Sequence, residues 1–319
     1  MKELSKDSAT WHAVEAEAAG QRIDNYLTKR LKGVPKSHIY RILRSGEVRV
    51  NSRRVRAEYR LEQGDRLRLP PLRTSSRPAA QVPRSAPALQ AAIIYEDELF
   101  LAIDKPAGVA VHGGSGISHG IVEQLRAARP DAPFLELVHR LDRDTSGVLM
   151  LAKRRSALLA LHRQLREGRV DKRYLVMVKG RWRDAQRSVK LPLDRYVLKS
   201  GERRVGVSED GAPAHTVFRL LRAWPACSLL EAELKTGRTH QIRVHLAHLG
   251  FPVLGDEKYG DFALNKTLGS QGLKRMFLHA SKTVIGHPRS GASISLEAPL
   301  PEALQFFLSA LDERERRKS

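Results

Sequence analysis

The sequence predicts an α+β protein with a small basic domain followed by a larger domain that contains a mostly antiparallel sheet. Three observations indicate this fold class. After residue 93, short β-like runs outnumber helical runs, and the two do not alternate steadily. A stretch rich in Pro, Ala and Ser separates these runs from two amphipathic helices. With 319 residues, 41% of them hydrophobic, the chain is long enough to form two cores.

The small domain spans residues 20–72. Apolar residues at helical spacing predict two helices, with Ile23, Tyr26, Leu27 and Leu31 on the first and Ile39, Ile42 and Leu43 on the second. Gly33 and Pro35 are expected to end the first helix, and Ser37 is the predicted N-cap of the second. Strands at 48–50 and 66–69, with a turn at 63–65, predict a short hairpin.

The remaining segments differ in composition. Residues 1–19 form a predicted N-terminal tail, and the five prolines of 70–92 predict an extended linker over 73–92. The large domain spans 93–310, with predicted strands at 91–95, 100–103, 147–152, 174–178 and 228–234. Its predicted helices include 120–128, 156–167 and 239–248. Residues 311–319 are highly charged and are expected to fray.

The charge balance favours a polyanionic partner. Fifty-six Lys and Arg against 35 Asp and Glu give a net charge of +21 and a pI near 10.5, which is typical of nucleic-acid binding. No apolar run approaches the roughly 20 residues that cross a bilayer, and residues 1–12 lack the apolar segment expected of a secretory signal. The single cysteine, Cys227, excludes an intramolecular disulfide and a cysteine zinc site. These features predict a cytoplasmic protein without a membrane partner.

The small domain resembles a known RNA-binding fold. Residues 21–70, QRIDNYLTKRLKGVPKSHIYRILRSGEVRVNSRRVRAEYRLEQGDRLRLP, are similar to an S4 domain. Fifteen basic and five acidic residues between positions 22 and 73 independently indicate that this part of the chain holds a phosphate backbone. The expected RNA contacts are Arg22, Lys36, Ser37, Arg41, Arg44, Arg53 and Arg54.

The densest polar cluster of the large domain is residues 139–147, HRLDRDTSG, between two apolar runs. It predicts a charged loop that enters a strand, a common place for catalytic groups. Spacing alone leaves two interpretations open for Asp142 and Asp144. One of them is a catalytic carboxylate, and the other is a member of a structural ion-pair network. Because the two residues lie two apart on an extended loop, a shared glycosidase site is disfavoured.

This cluster resembles the signature of the RluA family of ribosomal RNA pseudouridine synthases. IDKPAGVAVHGGSG, LVHRLDRDTSGVLMLAK, KRYLVMVKG and TGRTHQIRVHLAHLGFPVLGDEKYG are similar to further blocks of that family, in the same order. The resemblance implies that Asp142 is the catalytic carboxylate and that Arg243 is its cation. It also implies that Tyr174 stacks on the flipped base and that Arg140 enters the RNA helix. His139, Arg238 and His240 are expected beside the RNA.

The resemblance carries further expectations about substrate and cofactors. LKGVPKS, VHGGSG and FLELVHRLDRDTSGVL are similar to the RluC subgroup, which implies 23S ribosomal RNA of the large subunit as the substrate. Isomerising uridine oxidises nothing and transfers nothing to another molecule, so neither a cofactor nor a metal is expected. The protein is expected to be monomeric.

Several other patterns carry alternative interpretations. His240, His245 and His248 have helical spacing, but no matched acidic or Cys ligand supports zinc. The segment 111–116 is similar to an esterase oxyanion loop, yet a G-x-S-x-G elbow is missing, so a turn near the site is favoured. Residues 105–108 predict another turn that lines the same cleft. A non-catalytic RNA-binding protein and a nucleic-acid N-glycosidase remain as alternatives.

Overall fold

The computed structural model describes residues 8–15, 18–31, 34–71, 89, 92–113 and 120–317. The chain divides into two compact units, residues 1–81 and 82–319, and each is described by itself. Some predicted features lie outside the described residues. These are the role of Gly33, most of the linker 73–92, the Gly114–Gly116 part of the expected turn, and parts of both tails.

The first unit packs two helices against a three-stranded sheet. Helices α1 (Ile23–Arg30) and α2 (Lys36–Arg44) accompany strands β1 (Thr10–Ala13), β2 (Arg49–Val50) and β3 (Arg66–Leu69), in the antiparallel order β1-β3-β2. The apolar faces predicted for both helices are buried together with the strands. Gly64 has φ +88° in the predicted turn, a conformation that glycine adopts without a steric penalty.

Two details of this unit differ from the sequence-based expectation. Thr10–Ala13, placed in the N-terminal tail, pairs in register with β3, from Thr10 opposite Leu69 to Ala13 opposite Arg66. So short a segment carries little periodicity of its own, and only pairing with β3 makes it a strand. Ser37 lies inside α2, because Pro35, with ψ 144°, is the N-cap and accepts the first helical hydrogen bonds. The N-cap prediction for Ser37 is therefore wrong.

The second unit contains a ten-stranded sheet. Its path is β4 (Ile93–Glu96), β5 (Phe100–Lys105), β7 (Ser146–Ala152), β14 (Leu278–Gly286), β8 (Asp171–Lys179), β13 (Cys227–Leu234), β12 (His215–Ala223) and β9 (Gln186–Lys190). Strand β6 (Glu136–Leu137) pairs with β7, and β15 (Ser293–Glu297) pairs with β14. Among the described strands the β14–β7 pair is parallel and the others are antiparallel, which confirms the predicted fold class.

Helices cover both faces of this sheet. Leu101 and Ile103 pack with helices α3 (Ile121–Ala128) and α5 (Gln241–His248), whereas the alternate residues Phe100 and Ala102 pack with α4 (Arg155–Arg166). Helices α6 (Phe262–Ser270) and α7 (Glu302–Arg316) bury Met177 of β8. Burial on both faces explains why the central strands are continuous apolar runs rather than alternating ones. A separate hairpin consists of β10 (Leu193–Val197) and β11 (Arg203–Val207).

The C-terminal segment is more ordered than its charge suggested. Helix α7 continues to Arg316, so most of the residues 311–319 that were expected to fray are helical. The carboxylate of Asp312 accepts hydrogen bonds from Arg222 Nη1 at 2.7 Å and from Trp224 Nε1 at 3.1 Å. These partners are nearly ninety residues away in sequence, so the local charge pattern could not reveal them. In the described part of the chain, no helix is both long and apolar enough to span a membrane.

Candidate active site

The loop between β6 and β7 carries Asp142, and the sheet holds its end in place. Gly147, at the start of β7, packs directly against β14. Its φ is +109°, and a Cβ there would lie 2.2 Å from the carbonyl oxygen of Ala280. Only glycine allows β14 to approach so closely. Ser146 Oγ accepts from Arg275 Nη2 at 2.7 Å and lies 2.9 Å from His279 Nδ1. The end of the loop that joins β7 is therefore fixed by packing and hydrogen bonds.

Lys105, at the end of β5, holds the loop from the other side. Its buried ammonium donates to the carbonyl oxygens of Pro106 at 2.7 Å, Arg143 at 2.9 Å and Thr145 at 2.7 Å. Burial lowers the pKa of Lys105 to about 7, while the three carbonyl acceptors favour the ammonium with its three hydrogens. Lys105 was expected to line the cleft as part of a turn, and the structure places it inside the loop as a three-way hydrogen-bond donor.

Asp142 lies against a buried arginine on α5. Its Oδ2 accepts a hydrogen bond from Arg243 Nη1 at 2.8 Å, and its Oδ1 lies 3.9 Å from Nε2 of His240. The side chain remains 25% exposed, so one face of the carboxylate is open to the cleft. By contrast, Asp144 pairs with the exposed Arg143 at 3.1 Å. The two carboxylates of the motif therefore have separate partners.

A second carboxylate holds Arg243. Asp256 has a side chain that is 0% exposed, and it accepts from Arg243 Nε at 2.7 Å and Nη2 at 2.8 Å. Although burial opposes charge, the hydrogen bonds and negative charge of Asp256 and Asp142 raise the pKa of Arg243 above its usual value. Burial likewise acts against the charged form of Asp256, but Arg243 and two backbone amides lower its pKa. Arg243 is thus a fixed cation between two carboxylates, the buried Asp256 and the partly exposed Asp142.

Tyr174 lies on β8, opposite Ala232, and is only 8% exposed. Burial, together with the nearby charge of Asp142, raises the pKa of its phenol well above its usual value. The side chain therefore keeps its hydroxyl hydrogen throughout the physiological range. Tyr174 lines the same cleft as Asp142.

The other predicted site residues lie around the same opening. Arg140 and Arg238 are exposed, and Arg238 Nε donates to Pro213 O at 3.0 Å. His139 lies deeper, and its Nε2 accepts from the Met150 amide at 3.2 Å. Burial, with the charge of Lys172, lowers the pKa of His139 to about 4, so the ring is neutral and helps to hold the loop. His139, Arg140, Arg238 and His240 all line the cleft.

The cleft is large and basic. Its volume is about 1670 Å³, larger than the roughly 300–1,000 Å³ of small-molecule pockets. Eleven Lys and Arg residues line it, against four Asp and Glu. A cavity of this size and charge suits a segment of a polyanionic polymer better than a small neutral ligand.

The histidines of α5 do not form a metal site. His245 is fully buried, with Nδ1 3.0 Å from Thr216 Oγ1 and Nε2 3.0 Å from the carbonyl oxygen of Leu191. His248 is exposed, and His240 is directed toward Asp142. Among the described residues, no group of three or more His, Cys, Asp or Glu side chains is arranged to hold a metal ion.

The predicted residues of the first unit are mostly at its surface. Lys36, Ser37, Arg41, Arg44, Arg53 and Arg54 are exposed and Arg22 is half-buried. Arg22 pairs with the buried Asp24 at 2.8 Å, which also accepts from Tyr40 Oη at 2.9 Å. Arg22 therefore has a buried structural partner. The other side chains are exposed to solvent, and Arg41 among them pairs with Glu47 at 3.2 Å.

Sequence reasoning missed two residues that support the site. Asp256 and Tyr259 lie in the LGDEKYG block that carried part of the resemblance, but no role was inferred for either. Arg243 lies over the ring of Tyr259, 5.1 Å from its centroid, and Tyr259 Oη is 2.9 Å from His240 Nδ1. The only signal in the sequence was a carboxylate and an aromatic residue within a glycine-flanked block.

A basic cleft with an accessible carboxylate, in a chain that also carries an S4-like unit, is typical of an RNA-modifying enzyme. The family described as RNA pseudouridylate synthase matches residues 99–248, and the S4 domain family matches residues 21–67. Together with the relatives described next, these matches show that the chain belongs to the RNA pseudouridine synthase family. It is an enzyme that isomerises uridine to pseudouridine in RNA, as the motifs predicted.

Two curated relatives are similar to this chain over nearly its full length. Ribosomal large subunit pseudouridine synthase C of Salmonella typhimurium is 51% identical over 304 residues, 94% of this chain and 95% of the relative. The enzyme of the same name from Escherichia coli K12 is 50% identical, with the same coverage. The structure of human RNA pseudouridylate synthase domain containing 4 covers 71% of this chain and 95% of its own, with a TM-score of 0.57 and 26% identity. The predicted resemblance to the RluC subgroup is confirmed.

Proposed function

We propose that this enzyme converts specific uridines of 23S ribosomal RNA, in the large ribosomal subunit, into pseudouridine, with Asp142 as the catalytic carboxylate. The observation that carries the proposal is the row Asp142–Arg243–Asp256, in which a buried cation holds one oxygen of an accessible carboxylate. The row opens into a basic cleft. The relatives named above act on the ribosomal large subunit by their names, which supports this substrate.

The reaction rearranges bonds within one nucleotide. The C1′–N1 bond breaks, the uracil turns, and a C1′–C5 bond forms, while C5 loses a proton and N1 gains one. Asp142 acts by attack on the ribose, by attack on the base or by removal of a sugar proton, and each route needs an unprotonated carboxylate. Arg243 supplies the countercharge in a position that does not have to reorganise during the reaction. The balance requires no oxidant, reductant or metal.

The target base must leave its stack before Asp142 can reach it. Unstacking costs a few kcal/mol, and contacts to the flipped base offset that cost. Tyr174 offers a buried aromatic ring in the cleft, and a stacked base gains about 1–3 kcal/mol. Arg140, exposed beside Asp142, is the residue we assign to the space that the base vacates. His139, Arg238 and His240 complete the RNA-facing wall of the cleft.

The first unit supplies affinity and placement. Its exposed basic residues, Lys36, Arg41, Arg44, Arg53 and Arg54, with Ser37 and Arg22, are proposed to contact the phosphate backbone. The enzyme is proposed to act as a monomer in the cytoplasm. We propose that residues 20–72 bind RNA and that residues 93–310 carry out the reaction. Strand β1 extends the first folded region toward the N-terminus, and α7 extends the second to Arg316.

Pseudouridine mapping of 23S RNA tests the proposal. A strain that lacks this gene is complemented with the wild type, with Asp142→Asn, or with Asp144→Asn as a matched control in the same loop. We expect specific sites to vanish in the deletion strain and to return with the wild type and largely with Asp144→Asn. Restoration by Asp142→Asn contradicts the catalytic assignment, and an unchanged map contradicts the substrate. Release of free uracil from labelled RNA supports the N-glycosidase alternative instead.

A further inference from the structure

Two side chains approach Asp142, and one short segment supports both. Arg243 donates to Oδ2 of Asp142, and His240 lies with Nε2 3.9 Å from Oδ1. Behind Arg243 stands Asp256, and behind His240 stands Tyr259, three residues further along the chain. The segment 255–260 therefore sets the surroundings of both oxygens of the catalytic carboxylate.

The hydroxyl of Tyr259 has two neighbours whose roles can be assigned. The backbone amide of Val205 donates to it at 2.9 Å, because an amide N–H can only donate. The single phenolic hydrogen is then free to point to His240 Nδ1, also at 2.9 Å. A nitrogen that accepts a hydrogen bond carries no hydrogen of its own. In a neutral imidazole whose Nδ1 accepts from Tyr259, the remaining hydrogen is on Nε2.

The surroundings of Nε2 agree with this tautomer. Nε2 is the ring nitrogen near Oδ1 of Asp142, and an N–H there is attracted to the carboxylate, whereas a lone pair is repelled. Burial lowers the pKa of His240, while the charge of Asp142 opposes this shift and those of Arg243 and Lys258 add to it, so the neutral ring is favoured at physiological pH. The charged groups that face it are Asp142, Arg243, Lys258 and Asp256.

The backbone and the ring of His240 are also fixed in position. Its backbone has φ 56°, in the left-handed region, at the N-cap of α5. Its ring packs edge-on against Tyr259, with centroids 5.5 Å apart and planes at 63°. A residue other than glycine keeps such a backbone only where its surroundings hold it there. Tyr259 provides both the ring contact and the hydrogen bond.

We propose that Tyr259 is a positioning residue for Asp142. Its hydroxyl holds His240 as the Nε2–H tautomer, so that a neutral N–H faces Oδ1 while Arg243 holds Oδ2. A neutral N–H orients the free oxygen without adding a second cation that would weaken its reactivity. The inference rests on the proposed role of Asp142 and adds a role for a residue outside the motif.

Removal of one oxygen atom tests the proposal. Tyr259→Phe keeps the ring that contacts Arg243 and His240 but leaves Nδ1 without its donor. We expect kcat to fall about 10- to 100-fold, with little change in KM for RNA. His240 becomes easier to protonate in this variant, so the loss of kcat on acidification begins at higher pH than in the wild type. His240→Gln combined with Tyr259→Phe removes the titrating ring, and the shift of the acid limb should disappear.

A direct measurement keeps the inference falsifiable if Tyr259→Phe folds poorly. In wild-type protein labelled with ¹⁵N-histidine, the His240 signals, assigned by their loss in His240→Gln, report which nitrogen is protonated. A protonated Nδ1 overturns the proposal. An unchanged pH profile in a folded Tyr259→Phe variant overturns it as well. Tyr26→Phe, which removes a tyrosine hydroxyl of the first unit that accepts from Arg30, is the control and should leave kcat and its pH profile unchanged.

The failure of the proposed function would look different in the same assay. Asp142→Asn is measured beside the Tyr259 variants on the same RNA. Activity that survives Asp142→Asn contradicts the catalytic assignment, whatever the tautomer of His240. Activity that depends on Asp142 but not on Tyr259 contradicts only the present inference.

Discussion

The arginines of the first unit and Arg243 of the second use the same side chain in opposite ways. Arg41, Arg44, Arg53 and Arg54 are exposed on a small domain, where bound phosphates would displace counterions. Arg243 is 7% exposed, and each of its nitrogens donates to a carboxylate. Salt screens exposed charges over about 8–10 Å but reaches a buried pair much less. We therefore expect the many exposed charges to contribute mainly to RNA affinity and the single fixed charge to contribute to the chemical step.

Loss of the carboxylate behind Arg243 should give the largest effect. In Asp256→Asn the buried guanidinium loses the countercharge that orients it, and such a broken pair costs about 3–5 kcal/mol of stability. We expect kcat to fall about 100-fold in the fraction that remains folded, because Arg243 no longer holds Asp142. Single-turnover kinetics and urea unfolding measure the two effects. Glu297→Gln, at the exposed pair with Lys282, is the control and should lose nothing measurable. Near-wild-type rates in Asp256→Asn would break the comparison.

The next largest effect is expected at Lys105, the buried cation at the end of β5 that donates to the loop. Lys105→Met keeps an unbranched side chain of nearly the same length but leaves three carbonyl oxygens without their donor. We expect a loss of about 3 kcal/mol in the free energy of unfolding, since each unsatisfied buried group costs about 1–3 kcal/mol. Urea denaturation at pH 7 gives the value. Lys282→Met, at an exposed lysine, is the matched control, and equal losses in both variants would contradict a structural role for Lys105.

The exposed arginines should change binding and leave the chemistry intact. With Arg41, Arg44, Arg53 and Arg54 all changed to Gln, we expect RNA affinity to fall at least about tenfold. The slope of log affinity against log salt should become shallower by about 3. Filter binding at several salt concentrations measures both, and kcat at saturating RNA should stay within about twofold. A variant with four exposed arginines of the second unit changed to Gln, Arg183, Arg187, Arg316 and Arg317, controls for total charge. Equal effects in both variants would remove the special role of the first unit.

The smallest effect is expected at Asp312, which is neither fully buried nor fully exposed. Asp312 is 25% exposed and binds both Arg222 and Trp224. Asp312→Ala should cost about 1 kcal/mol of stability, the value of an ordinary hydrogen-bonded pair, without a change in kcat. Its neighbour Glu313, exposed on the same helix, gives the control variant Glu313→Ala. A thermal melt in which both variants match the wild type would show that α7 is not held through Asp312.

Much of the fold was predictable because its signals are local. Apolar spacing placed α1, α2 and the central strands within a few residues of their observed ends. Two segments that were assigned to the tails, β1 and the last turns of α7, carry no such pattern. Thr10–Ala13 is a strand because β3 offers it a register, and the charged end of α7 is held at Asp312 by Arg222 and Trp224. In each case a partner distant in sequence supplies the energy.

The same division holds for the site. The family, the basic first unit and the grouping of Asp142, Tyr174 and Arg243 in one cleft could be predicted from the sequence, because contiguous motifs carry that information. The contacts that hold these three side chains could be seen only in the folded structure. Arg243 meets Asp142 across 101 positions and Ser146 lies beside His279 across 133. Hydrogen bonds depend on distance and angle in space, which one-dimensional spacing does not contain. The roles of Lys105, Asp256 and Tyr259 therefore became visible only when β5, β7, α5 and the segment 255–260 were brought together.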